Sequence, residues 1–197
     1  MEADDVTVHC PFVYGSISFW LGRKADESAT HRWSIYVRGA KGEDLSYFIS
    51  KVVFFLHESF AQSVRTITEP PFEVTENGWG EFDARIRVHF KDPKEEPIEI
   101  THPLKLYPPG ATPPSMKKPV CHEFYDEVCF VNPSADFFDS MQRDAAKPPS
   151  ALSMQEHLSY YTDAQDIHAI SAAQNIVSSE LISTFCSNRI LVTFRRA

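Results

Sequence analysis

Ala84-Arg85-Ile86-Arg87-Val88-His89-Phe90 decides the architecture. Ala84, Ile86, Val88 and Phe90 share one face, and Arg85, Arg87 and His89 share the other. Alternation of period two describes a strand with one face buried and one in water. Upstream, Arg32-Trp33-Ser34-Ile35-Tyr36-Val37-Arg38 repeats the pattern, with Trp33, Ile35 and Val37 aligned. Downstream, Ile98, Ile100, Leu104 and Leu106 alternate around Pro103, which suits an edge strand because proline has no N–H to donate. Val52-Val53-Phe54-Phe55-Leu56 is apolar on both faces, as a central strand requires. Residues 6–10, 13–21 and 72–75 are further strand candidates. Seven or so short strands separated by turns predict a mainly β fold, an immunoglobulin-like antiparallel β-sandwich. The Cys…Trp…Cys spacing of antibody domains is missing.

The rest of the composition agrees with a packed globular chain. Of 197 residues, 43% are hydrophobic and 15 are Phe, enough aromatic volume for a sizeable core. The formal net charge of −8 disfavours a general grip on nucleic-acid phosphates and favours basic partners. No apolar run approaches the ~18 residues of a membrane helix, so no membrane partner is expected. The acidic start, Met1-Glu2-Ala3-Asp4-Asp5, lacks the apolar core of a secretory signal. Cys10, Cys121, Cys129 and Cys186 are widely spread, which predicts free thiols in a reducing compartment.

Proline divides the chain. Pro108-Pro109-Gly110-Ala111-Thr112-Pro113-Pro114 and Lys147-Pro148-Pro149-Ser150 read as loops or extended linkers. The expected organisation is a sandwich over 1–110, a linker over 111–150 and a helical segment over 151–197. In that last segment Ile167, Ile170, Val177 and Leu181 recur at three- and four-residue steps, with Gln174 in the stripe. Ile176, Ile182 and Phe185 widen it. The pattern predicts an amphipathic helix over 163–187, capped near Thr162-Asp163. Both a coiled coil with a partner and docking on the sandwich remain open. A shorter helix is expected over 152–161, and residues 189–194 look strand-like.

A search for catalysis finds little. The eight histidines form no His-Glu-x-x-His arrangement, and no Gly-x-Ser-x-Gly elbow or phosphate-binding glycine loop is present. Cys121-His122 with Cys129 matches no standard metal-ligand spacing. His57 and Ser59 make a base–nucleophile pair, but neighbours on an extended segment rarely meet in a working geometry. Two loops carry more information. His57-Glu58-Ser59-Phe60 follows the apolar strand, and Asn77-Gly78-Trp79-Gly80-Glu81-Phe82 precedes the alternating one. Each sets large rings among small residues. Phe60 and Trp79 either await a partner or cap the end of the core.

Several separated blocks together resemble the YEATS domain, over about residues 6–108. They are Gly15; Thr30-His31-Arg32-Trp33; Leu56-His57-Glu58-Ser59-Phe60; Pro70-Pro71-Phe72-Glu73-Val74; Gly78-Trp79-Gly80-Glu81-Phe82; and His102-Pro103-Leu104-Lys105-Leu106. Beyond them, Cys121-His122-Glu123-Phe124-Tyr125-Asp126-Glu127, then Phe130 and Asn132-Pro133-Ser134-Ala135, is similar to the segment that follows the domain in the glioma-amplified-sequence type. The resemblance implies a non-enzymatic reader of acylated lysine on histone tails. It implies a nuclear subunit of an acetyltransferase or histone-variant exchange complex, joined to other subunits by its C-terminal helix. No cofactor or metal is implied.

The implied acyl-lysine site comprises His57, Ser59, Phe60, Gly78, Trp79, Gly80 and Phe82, with His31 and Ala29 beside it. Phe60 and Trp79 supply aromatic faces for a flat amide. Ser59 accepts from the amide N–H, while the Trp79 backbone N–H donates to the acyl carbonyl. Gly78 and Gly80 allow close approach of the chain. His57 braces Ser59 and the Phe60 ring, and Phe82 closes the side. An unmodified ammonium would find no carboxylate inside this set. Glu58, Glu81 and Asp83 are candidates for meeting a basic tail at the mouth. Ala29 stands where many family members carry an aromatic or His, which implies one smaller wall. A structural scaffold subunit with a weak or unused pocket is the alternative that Ala29 favours. A chaperone-like binder would need a long acidic run, which the sequence lacks.

Overall fold

The computed structural model describes residues 6–110, 113–144, 152–160 and 167–180. Eight strands are present: β1 (Thr7–Trp20), β2 (His31–Gly39), β3 (Ile49–Phe55), β4 (Val64–Ile67), β5 (Phe72–Gly78), β6 (Asp83–Phe90), β7 (Ile98–Pro103) and β8 (Val120–Val131). They form two antiparallel four-stranded sheets, ordered β5-β2-β1-β8 and β4-β3-β6-β7. This is the expected immunoglobulin-like sandwich.

The alternation read from sequence sets which side chains fill it. Trp33, Ile35 and Val37 of β2 face Ala84, Ile86 and Val88 of β6 in one core cluster, with Val52 and Phe54 of β3. β3 lies inside its sheet and β7 at the edge, as its proline required. Over β6 and β7, Arg85 and Arg87 pair with Glu99 and lie across the Phe55 ring. The outward face is therefore charged and solvated.

Four expectations change. Residues 6–10 and 13–21 are one strand, β1, because its pairing with β8 runs unbroken from Thr7 to Ser18 and carries Pro11 opposite Glu127. The β4 strand was not expected: Val64-Arg65-Thr66-Ile67 is an exposed edge piece with only two apolar residues. The expected linker over 111–150 contains β8 and helix α1 (Ala135–Asp144). β8 is an edge strand whose exposed carboxylates obscure its alternation, and among the described side chains α1 buries only Phe137 and Met141. Both belong to the sandwich, which therefore does not end at residue 110.

The fourth change concerns 152–160, expected as a helix. These residues form an extended strap with a single 3-10 turn at Gln155–His157. Leu152 and Met154 are buried with Ile17 and Tyr36 on the outer face of the β5-β2-β1-β8 sheet, and Phe19 and Leu158 pack against them. Arg38 Nη2 donates to the Ser159 carbonyl at 2.6 Å, and Ser153 N donates to the Glu73 carboxylate. The strap explains why almost every residue of β2 is buried, on both faces.

The chain divides into two compact units, Met1–Tyr160 and Tyr161–Ala197. In the second, residues 167–180 form helix α2. Its stripe residues Ile167, Ile170, Ile176 and Val177 are 56–60% exposed. The expected cap at Thr162-Asp163, the stripe residues Leu181, Ile182 and Phe185, the strand-like 189–194 and the Pro148-Pro149 linker lie outside the described residues. Among the described residues no helix is long and apolar enough to cross a membrane.

Candidate functional site

Two loops at one end of the sandwich enclose an open groove. The first follows β3, where the Phe60 N–H donates to the His57 carbonyl at 3.1 Å and closes a tight turn. That turn brings His57 and Ser59 together, contrary to the expectation for an extended segment. Ser59 Oγ lies 3.0 Å from His57 Nδ1, and the Ser59 backbone N–H donates to the same nitrogen at 3.3 Å. A backbone N–H can only donate, so Nδ1 is an acceptor and the imidazole proton sits on Nε2. The Ser59 hydroxyl then donates to Nδ1 and keeps its oxygen lone pairs for a ligand. Among the described residues no carboxylate orients His57, so the pair lacks the third member of a catalytic triad.

The second loop leaves β5 at Gly78, which pairs with His31 at the end of the β2 ladder. Trp79 is the first residue past it and is 67% exposed. A ring of that size pointing into water does not cap a core, so the two readings of the loop aromatics now separate. Phe60 does pack on the core: its ring meets Trp33 edge-on at 5.6 Å and lies 5.9 Å from Phe82. Phe82 in turn contacts Trp33 at 5.7 Å and His57 at 6.1 Å. Packed aromatic rings and one exposed indole thus come together at this end of the sandwich.

Ser28, His57, Ser59, Phe60, Asn77 and Gly78 through Phe82 line this groove, whose volume of about 410 Å³ is in the range of small-ligand sites. Seven of the nine expected residues therefore meet in one place. A side chain at 78 would be crowded, since a Cβ would sit 3.2 Å from Trp33 Nε1 and 3.7 Å from Phe60, so the indole would have to give by a few tenths of an ångström. At Gly80 there is no such crowding, because a Cβ would meet nothing within 4 Å.

His31 and Ala29 do not line the groove; Ser28, which the sequence did not single out, does. His31 is buried on β2, its Nδ1 within 2.9 Å of Thr30 Oγ1 and its ring edge-on to Tyr107 at 5.0 Å. Burial pushes its pKa below the ordinary value, against a weaker upward pull from Glu81. Ala29 is part of a turn, its N–H donating to the Asp26 carbonyl at 3.0 Å.

One carboxylate does line the groove, Glu81, but its oxygens are occupied. Oε1 accepts from Leu106 N at 2.8 Å and Tyr107 N at 3.4 Å, while Oε2 accepts from Lys105 Nζ at 3.1 Å. Partial burial pulls its pKa up, and these donors together outweigh that and hold it below the ordinary value. Glu81 thus anchors the segment after β7, and Glu58, Glu81 and Asp83 are all exposed.

Residues 28–108 match the YEATS family. Transcription initiation factor TFIID subunit 14b of Arabidopsis thaliana is 49% identical over 144 residues, covering 72% of this chain and 54% of that protein. The chain thus spans about half the length of this relative. Protein AF-9 homolog of Eremothecium gossypii is 43% identical over 145 residues, covering 69% of each chain. Among solved structures, the crystal structure of the Yaf9 YEATS domain bound to H3K27ac is 38% identical, with a TM-score of 0.63. That alignment covers 73% of this chain and 99% of that one. With this sandwich, these loops and relatives of such identity and coverage, the chain belongs to the YEATS family.

Proposed function

We propose that the groove between the 57–60 and 77–82 loops binds acetyl- or crotonyl-lysine on a histone tail, and that the protein works in the nucleus as a subunit of a chromatin acetyltransferase or histone-variant exchange complex. The observation that carries the reading is that the exposed indole of Trp79 lines the same groove as the packed ring of Phe60. The similar Yaf9 domain, bound to H3K27ac, supports it.

The chemistry follows from the residues. An acylated lysine has lost its charge and ends in a flat amide, which aromatic faces can sandwich. Ser59, already donating to His57 Nδ1, accepts the amide N–H. The Trp79 N–H, one residue past the β2–β5 ladder, donates to the acyl carbonyl. Unmodified lysine would bring an ammonium to a groove whose one lining carboxylate already holds three donors, so its burial goes uncompensated. The scaffold alternative rested on Ala29 as a pocket wall, and Ala29 is not in the lining. Helix α2, with its apolar stripe exposed, pairs with a partner helix of the complex.

Titration of the full chain with acetylated, crotonylated and unmodified histone peptides tests the reading. Micromolar binding of the acylated forms, about −6 to −8 kcal/mol, is expected. Equal binding of acylated and unmodified peptide overturns it.

A further inference from the structure

His9, Glu127 and Cys129 lie together on the outer face of the β1–β8 ladder, and the groove chemistry does not use them. His9 is the direct cross-strand partner of Cys129, and Glu127 lies two residues along β8, opposite Pro11. Side chains two apart on a strand share a face, so all three project from the same side. His9 Nδ1 is 3.3 Å from Cys129 Sγ and 3.4 Å from Glu127 Oε2. The three donor atoms lie within 4.8 Å of one another.

Those separations have a chemical meaning. A tetrahedral zinc ion with bonds of about 2.1 Å to nitrogen or oxygen and about 2.3 Å to sulfur sets its ligand atoms about 3.4–3.6 Å apart. The two His9 spacings, 3.3 and 3.4 Å, lie within about 0.3 Å of that edge length, and the third edge, between Glu127 and Cys129, is no longer than 4.8 Å. Tyr125 Oη donates to Glu127 Oε1 at 2.6 Å, which orients the carboxylate and leaves Oε2 directed at His9. Metal sites use such an outer hydrogen bond to fix a ligand. The frame is stiff, because β1 is paired on both edges, with β2 and β8.

We propose that His9 Nδ1, Glu127 Oε2 and Cys129 Sγ bind a zinc ion, with water at the fourth corner. On binding, the Cys129 thiol gives its proton to solvent and the thiolate sulfur takes the metal, so no oxidant or reductant is involved. The fourth corner is open to exchange, since the His9 side chain is 60% exposed and that of Glu127 41%. The set differs from Cys121-His122 with Cys129, because Cys121 lies at the far end of β8, where its thiol contacts the His157 carbonyl.

The test uses the full chain carrying Cys121→Ser and Cys186→Ser, which leaves Cys129 as the exposed thiol beside the buried Cys10. Cobalt(II) serves as a coloured stand-in for zinc. One equivalent should give a thiolate-to-cobalt absorption band, and zinc should abolish it. Cys129→Ser should remove the band, while His9→Ala and Glu127→Gln should each weaken zinc binding tenfold or more. All three side chains are on the surface, so melting temperatures without metal should not change. A missing band, a band that survives Cys129→Ser, or a stoichiometry of one metal per two chains overturns the proposal. The cluster would then be an ion pair beside a hydrogen-bonded thiol.

Discussion

Arg38 on β2 and Glu123 on β8 pair at 2.9 Å across the strand that separates them. The contact passes over Gly15 of β1, which is the register partner of both Tyr36 and Glu123. Tyr36 Oη donates to the same carboxylate oxygen at 2.9 Å. Arg38 is only 6% exposed and Glu123 12%, so the pair is buried under the strap. The three strands are thus tied by side chains as well as by backbone, and a glycine in the middle makes room.

Gly15→Ala should therefore destabilise the sandwich. The added Cβ would lie 2.7 Å from the His122 carbonyl oxygen and 2.8 Å from Glu123 Cγ. The first neighbour is backbone and cannot swing away. Overpacking of this kind costs about 1–3 kcal/mol. Urea denaturation of the two proteins gives the difference, and an unchanged midpoint would refute the crowding.

Truncation separates the strap from the helix. A sandwich confined to residues 1–110 would not notice the loss of everything after residue 149. The structure predicts a destabilised sandwich instead, since Ile17, Tyr36 and Arg38 lose their cover. Leu152 and Met154 each contribute about 1.5–3 kcal/mol by burial, so the loss is on the order of 3 kcal/mol or more. Ending the chain at 160 should keep the melting temperature and remove only association through α2. Calorimetry and sedimentation of both truncations distinguish these outcomes.

Trp79→Ala should uncouple binding from stability. Because the indole is 67% exposed, its removal should change folding free energy by no more than about 0.5 kcal/mol. Acyl-lysine affinity should fall by about 2 kcal/mol or more, roughly thirtyfold. A loss of about 3–5 kcal/mol in stability would instead mark a core residue.

His102 should make stability pH-dependent. It is fully buried, with Nε2 2.9 Å from Ser16 Oγ. Burial, helped by nearby His122, pushes its pKa down to about 4 from an ordinary 6.5. Between those values the unfolded chain takes up a proton that the folded chain refuses. Stability from this group is complete above about pH 6.5 and is lost as pH falls towards 4, by about 3 kcal/mol in all. In His102→Gln that portion of the slope should vanish. An identical pH dependence in the two proteins would contradict the assignment.

The local record in the sequence carried far. Period-two alternation in Arg32–Arg38 and Ala84–Phe90, and the doubly apolar Val52–Leu56, determined the sandwich, because each strand must bury its own apolar face. The same local chemistry marked Ser59, Phe60, Gly78 and Trp79 as loop residues of interest. What the chain could not show locally is anything made by distant partners. β8 looks like a charged linker until Gly15 lets Glu123 reach Arg38, 85 residues away. The strap has too few apolar residues to declare itself, and becomes part of the core only where Ile17 and Tyr36 await a cover. His31 reads as a site residue but is drawn inward by pairing with Gly78, and Ala29 is turned aside by its own tight turn. His9 and Cys129 stand 120 residues apart, and only strand register makes them neighbours. Periodicity is a property of adjacent residues, whereas registers, covers and ligand sets are properties of the folded sheet.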